Sequence, residues 1–160
     1  MKITTDNVAK VLATIQGLAG KQVMVGIPAS KATREDGDTE PINNAQLGYI
    51  HEYGAPASNI PARPFLIPGV ARAQENINDH LKKAAKAAMD GNEEKVDVEL
   101  NATGLVAQAG ARYEINNGDL APLSERTLAA RRKRGRTGTK PLIDTGQLRN
   151  AITYVIREKD

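Results

Sequence analysis

In the stretch AITYVIRE, residues 151–158, Ile152, Tyr154 and Ile156 fall on every second position. That period turns one face of an extended strand inward. A matching pattern lies near the other end of the chain. KQVMVGI, residues 21–27, sets Val23, Val25 and Ile27 against Gln22, Met24 and Gly26, and Pro28 stops it. Pairing the two segments closes one domain around everything between them. The expected class is α+β: a small antiparallel sheet packed with a long helical hairpin and short N- and C-terminal helices. Any strands near residues 28–40 stay unassigned in this reading.

The intervening sequence reads mainly as helix. Asp6 can cap a first helix carrying Val8, Val11, Leu12, Ile15 and Leu18 on one face, with Gly20 at its end. A short helix from Asn43 to Tyr53 points Ala45, Leu47, Ile50 and Tyr53 inward and stops at Gly54. APASNIPARP, with three prolines, is an extended connector. Pro68 then suits the first turn of a long helix to about Met89, with Val70, Ala73, Ile77, Leu81, Ala84 and Ala88 on one face. DGN at 90–92 breaks it, and Asn92 caps a second long helix with Glu93 and Glu94 at its positive end. There Val98, Ala102, Leu105, Val106, Ala109 and Tyr113 repeat the helical period as far as the NNG of 116–118. Ser124 opens a further short helix that runs into a basic tract, and Asp144 or Thr145 opens the last one. Mobile loops are expected near 28–42 and 131–140.

The chain has 160 residues, a length that suits a single domain over 1–160. Only 3% of residues are aromatic, so the core must come from Ala, Val, Ile and Leu, and a modest core is a reason to expect stabilisation by assembly. The absence of cysteine excludes disulfides, thiolate metal sites and cysteine nucleophiles. Neither a secretory leader nor a run of about 20 apolar residues is present, which points to a soluble protein made in a cytoplasm and not held in a membrane. The net charge is +3, yet it is unevenly spread. Arg131, Arg132, Lys133, Arg134, Arg136 and Lys140 lie within ten residues that contain no acid, and the other 16 basic residues face all 19 acidic ones.

Enzymatic chemistry finds little footing. His51 and Glu52 begin a zinc-protease signature whose second histidine position holds Ala55, and His80 is expected on a polar helix face. Asp36, Asp38 and Glu40 alternate as in a calcium loop, but Pro41 and Leu47 stand where glycine and the closing carboxylate belong. Gly135, Gly138 and Lys140 lack the spacing of a phosphate loop. No catalytic residue, metal ligand or cofactor is assigned. For the basic tract three readings stand: a solvated helix end, contact with DNA phosphates, and docking to an acidic protein surface, including a neighbouring copy through Asp36 or Glu93. Neutralising Arg131, Arg132, Lys133 and Arg134 is expected to leave folding intact.

Several segments in order carry a resemblance. Glu52, Tyr53 and Gly54 precede IPARPF (Ile60 to Phe65). Pro122, Leu123 and Ser124 open a helix before the basic stretch, and PLIDTG (Pro141 to Gly146) with Leu148 leads into the final strand. This pattern resembles the bacteriophage virion-morphogenesis family, the small tail-completion and head-tail joining (neck) proteins of long-tailed phages. Ala151 departs from it where the family often has serine. The resemblance implies a non-enzymatic virion protein of the neck or tail end, a ring of copies contacting other neck and tail proteins, with the basic loop facing a neighbour or the DNA channel. Within the matched segments, Arg63 can grip a carboxylate or helix-end carbonyls, Phe65 is an apolar anchor, and Asp144 and Thr145 can satisfy amides at a helix start.

Overall fold

The computed structural model describes residues 7–34 and 42–159. Helix α1 (Val8–Gly20) runs directly into strand β1 (Lys21–Gly26), and β2 (Thr153–Glu158) returns antiparallel beside it. The register sets Val25 opposite Tyr154 and Val23 opposite Ile156, so the two alternating patterns share one face. The protein is a small α+β fold with this two-stranded sheet packed on helices. Between the strands come α2 (Asn44–Tyr53), α3 (Leu66–Arg72), α4 (Gln74–Met89), α5 (Glu93–Asn117), α6 (Glu125–Lys133) and α7 (Gln147–Ala151). Helices α4 and α5 form the expected hairpin, and α5, 25 residues long, also packs on α3 and both strands.

Caps follow the sequence in most places. Asn43 accepts from the Gln46 amide while Gln46 answers through its side chain, a reciprocal cap that starts α2. Asn92 accepts from Lys95 N, and Ser124 from Thr127 N. The expected Asp6 cap lies outside the described residues, as do Asp36, Asp38 and Glu40. Residues 28–34, placed in a mobile loop by the sequence, include a 3-10 turn at Ala29–Lys31. Asn44 holds this segment against α2: its amide nitrogen donates to Ala32 O at 2.7 Å, and its side chain donates to Thr33 O at 3.1 Å.

Several helices differ from their sequence reading. The long helix after Pro68 is two helices, because the chain re-aims at Ala73. Just before that turn α3 crosses α5 backbone to backbone: a Cβ on Gly69 would sit 2.5 Å from Ala111 Cα. Such a crossing fixes the direction of α3, and only a break lets α4 lie antiparallel along α5. On α2 the buried positions are Asn44, Gly48 and Glu52, while Ala45, Leu47 and Ile50 are half-buried and Tyr53 is exposed beside Tyr49, ring centroids 4.8 Å apart.

On α5 the inward face is Val96, Leu100, Thr103, Ala107, Ala111 and Ile115, interleaved with Gly104 and Gly110. Of the residues expected inward, Val98, Leu105 and Tyr113 are 59%, 55% and 46% exposed. The small residues carry no hydrophobic signal, yet they are what allows α3 and the Tyr154 ring to approach. Helix α1 shows a milder version, with Val8, Leu12 and Ile15 exposed and Leu18 packed toward Val96 and Leu100.

The core has two main centres. Phe65, Ala111, Ile115, Leu142, Leu148 and Ile152 form one, and Ala84, Ala87, Ala88, Val96 and Leu100 the other. The first joins the segments before α3, after α6 and before β2. It therefore positions the region described next.

Candidate functional site

The end of α2 supplies a carboxylate in place of a local cap. Phe65 stands at the N-cap of α3 and offers no side-chain oxygen, so the free amides of that helix need another acceptor. Glu52 provides it: Oε2 accepts from Phe65 N at 2.8 Å and Leu66 N at 2.9 Å, and Oε1 from Ile67 N at 2.9 Å. Gly54, at φ 78°, turns the chain out of α2, and a Cβ there would come 2.9 Å from Ala62 N. The sequence marked Glu52 in a failed zinc motif and in the segment that carries the family resemblance, but not as a helix cap. A buried acid three amides deep is legible once the PARPF segment is known to start a helix without a cap.

Arg63 is 5% exposed. Its Nε donates to Ala121 O at 2.6 Å and Nη2 to Pro122 O at 2.8 Å, stitching the proline connector to the segment that opens α6. Burial lowers its pKa from the ordinary arginine value. Carbonyls, one of the two expected partner types, are what it grips. Phe65, the expected anchor, is 2% exposed at the centre of the first core cluster.

The basic tract divides into two sets. Arg131 is 8% exposed and turned inward: Nη1 donates to Gly138 O at 2.8 Å and Lys140 O at 2.9 Å, and Nε lies 3.5 Å from Asp144 Oδ1. Arg136 pairs with the other oxygen of Asp144, and Lys140 donates to Asn116 O at 2.6 Å, beside the end of α5. Arg132, Lys133 and Arg134 are exposed, the first 3.9 Å from Glu125 Oε2. The stretch 131–140 is thus the last turn of α6 followed by a loop clasped around Arg131, and not a freely projecting loop. For the expectation that neutralising Arg131, Arg132, Lys133 and Arg134 leaves folding intact, Arg131 is the residue at issue, since its removal leaves two carbonyls and a carboxylate without their donor. At α7 the expected helix start also changes. Gly146, at φ 78°, holds the N-cap position, Asp144 serves the arginines, and Thr145 Oγ1 accepts from Gln147 N at 3.4 Å.

These pieces meet around one cleft of about 530 Å³. Arg63, Arg131, Asp144 and Thr145 line it, together with Arg34 and His51, and its floor includes Leu142 and Leu148. Arg34 donates to Asn44 Oδ1 at 3.0 Å. Burial, then the charges of Arg63 and Arg34, push the His51 pKa down to about 4, so its imidazole is neutral at physiological pH. Its Nδ1 is buried and has no hydrogen-bond partner. The other histidine, His80, bridges α4 to α5 through Glu99 at 2.7 Å. Among the described residues no three His, Cys, Asp or Glu side chains gather as metal ligands, and no helix is long and apolar enough to cross a membrane.

Comparison with known proteins adds little to this geometry. A stretch of 56 residues, 35% of this chain, is 32% identical to an uncharacterized protein of Methanocaldococcus jannaschii. The match spans 42% of that protein's length. No family profile and no solved structure matches the chain.

Proposed function

We propose that the chain is a structural virion protein that completes a phage tail or joins head to tail, acting as an oligomeric ring without a catalytic step. It would be made in the host cytoplasm and end in the neck or tail end of the particle. The observation that carries this reading is the second apolar face of α5. Val98 and Leu105 lie more than half exposed along the outside of the longest described helix, and Tyr113 continues the face, its ring 4.8 Å from the Arg72 guanidinium. A helix apolar on both sides is normally a buried helix, and exposed apolar stripes mark association surfaces.

The segments behind the family resemblance support the same reading. Glu52, Arg63, Phe65, Pro122, Asp144 and Leu148 lie far apart in sequence yet are joined in one hydrogen-bonded and apolar cluster. Each has a task in holding the fold, as expected of a pattern retained for architecture.

Light scattering across a concentration series tests the proposal. The wild-type chain gives a multimer or assembles on a neck or tail partner, and the double variant Val98→Glu with Leu105→Glu gives a folded monomer. A wild-type chain that stays monomeric and whose absence leaves particles correctly joined and infectious overturns it.

Exposed Arg132, Lys133 and Arg134 favour a second reading, a nucleic-acid-binding module. Each phosphate neutralised contributes about −0.9 to the slope of log K against log salt on duplex DNA, so a set of three contacts gives a slope near −3. A flat salt response removes this alternative.

A further inference from the structure

Among the described residues, the walls of the cleft beneath α6 carry more positive charge than they cancel. Arg63 rests against two carbonyl oxygens and has no carboxylate partner among the described residues. Arg131 and Arg136 share the single carboxylate of Asp144, which leaves one charge over. Across from them, His51 keeps Nδ1 buried with no hydrogen bond. Buried polar atoms rarely stay that way unless something outside the chain supplies the missing bond. The remaining surface is part hydroxyl, from Ser124 and Thr127, and part aliphatic, from Leu47, Ile60 and Leu148.

We propose that this cleft captures an acidic segment of a partner polypeptide, with one carboxylate set against Arg63 and His51 and the adjoining aliphatic carbons packed on Leu47, Ile60 and Leu148. The charge is complementary, and the walls discriminate between anions. Aliphatic sides suit the methylene groups of glutamate and its neighbours and contribute nothing to a phosphodiester backbone. Among the described residues no Phe, Tyr or Trp lines the recess to stack an unpaired base. The positive surface that faces outward, at Arg132 to Arg134, is separate from it. This site goes beyond the assembly reading and would stand for a chain that proved monomeric.

The chain contains two histidines, so histidine-labelled protein gives an NMR reporter in the cleft and an internal control outside it. Titration with hexaglutamate moves the His51 imidazole signals saturably and leaves those of His80 in place, while hexaglutamine moves neither. Thr127→Glu, an exposed change at the rim, weakens binding about tenfold or more by like-charge repulsion. Should that variant fail to fold, Gln147→Glu puts the same charge at the first residue of α7, where a carboxylate suits the helix dipole. Lys83→Glu, exposed on α4 and not among the residues that line the cleft, changes net charge more and leaves binding within about twofold, because salt screens exposed charges that are not in contact. A still His51 at millimolar hexaglutamate, an equal loss in Lys83→Glu, or saturation by a short DNA duplex in place of the peptide overturns the proposal.

Discussion

Helices α5 and α6 reverse the usual placement of side chains in opposite ways. The outward face of α5 is apolar, at Val98, Leu105 and Tyr113, whereas the inward face of α6 presents the guanidinium of Arg131. Hydropathy decides neither case; the partner does. Arg131 is tolerated inside because the loop behind it supplies two carbonyls and a carboxylate in reach. On the opposite face, Gly104, Gly110 and Ala111 at the crossing points allow a closer approach of α3 and β2 than larger residues would. Small residues hold the crossing points of this helix, between the buried Val96 and Leu100 at one end and Ile115 at the other, while Val98 and Leu105 stay exposed.

The strongest way to break that contrast is to enlarge the inward face. Gly69→Val drives a side chain into the backbone of α5 at Ala111, and it is expected to lower stability by about 3 kcal/mol or more, read from urea unfolding. An unchanged midpoint would mean that α3 and α5 do not touch as described.

Arg131→Ala comes next. Leaving buried acceptors unpaired costs about 2–3 kcal/mol, whereas Lys133→Ala, at an exposed position, stays within about 0.5 kcal/mol. Equal effects from the two would erase the distinction between the inner and outer halves of the tract.

Acid titration sharpens the picture at the cleft. The folded-state pKa of His51, about 4, lies below the unfolded value of 6.5, so the unfolded chain takes up the proton first. Stability is full above pH 6.5, declines as pH falls through that value, and levels off below about 4. After allowance for solvent screening the loss is about 2 kcal/mol. His51→Gln removes this component, and urea midpoints at pH 7 and pH 5 report the difference.

The smallest effect on the folded chain is the one that tests the proposed assembly. Leu105→Glu on the outward face should change monomer stability by no more than about 0.5 kcal/mol. The same substitution lowers the mass found by light scattering. A large loss of subunit stability would instead place Leu105 in the core.

Much of the fold was legible from periodicity. The strand pairing rests on Val23, Val25, Tyr154 and Ile156, each with a strong period-two signal, and the α4–α5 hairpin follows from DGN with its asparagine cap. What the pattern missed was decided by contact between elements. The break at Ala73 and the true inward face of α5 both follow from glycines at the α3 crossing, which hydrophobic spacing does not weigh. At the cleft, Arg63 and Asp144 stood out as polar residues within proline-rich and turn segments. Glu52 and His51 did not, because their tasks depend on amides and arginines that arrive from distant parts of the chain.

The pairing of β1 with β2 also orders events in time. Lys159 N reaches back to Gly20 O at 2.6 Å, so the α1–β1 junction meets residues made almost a whole chain later. During vectorial synthesis the first strand waits, edge bare, while every helix is laid down. Until its mate emerges, the hairpin lacks a lid on its sheet side. An interrupted chain would therefore be rich in helix yet sticky, and loss of the last strand should route nascent protein to chaperones sooner than to the native fold.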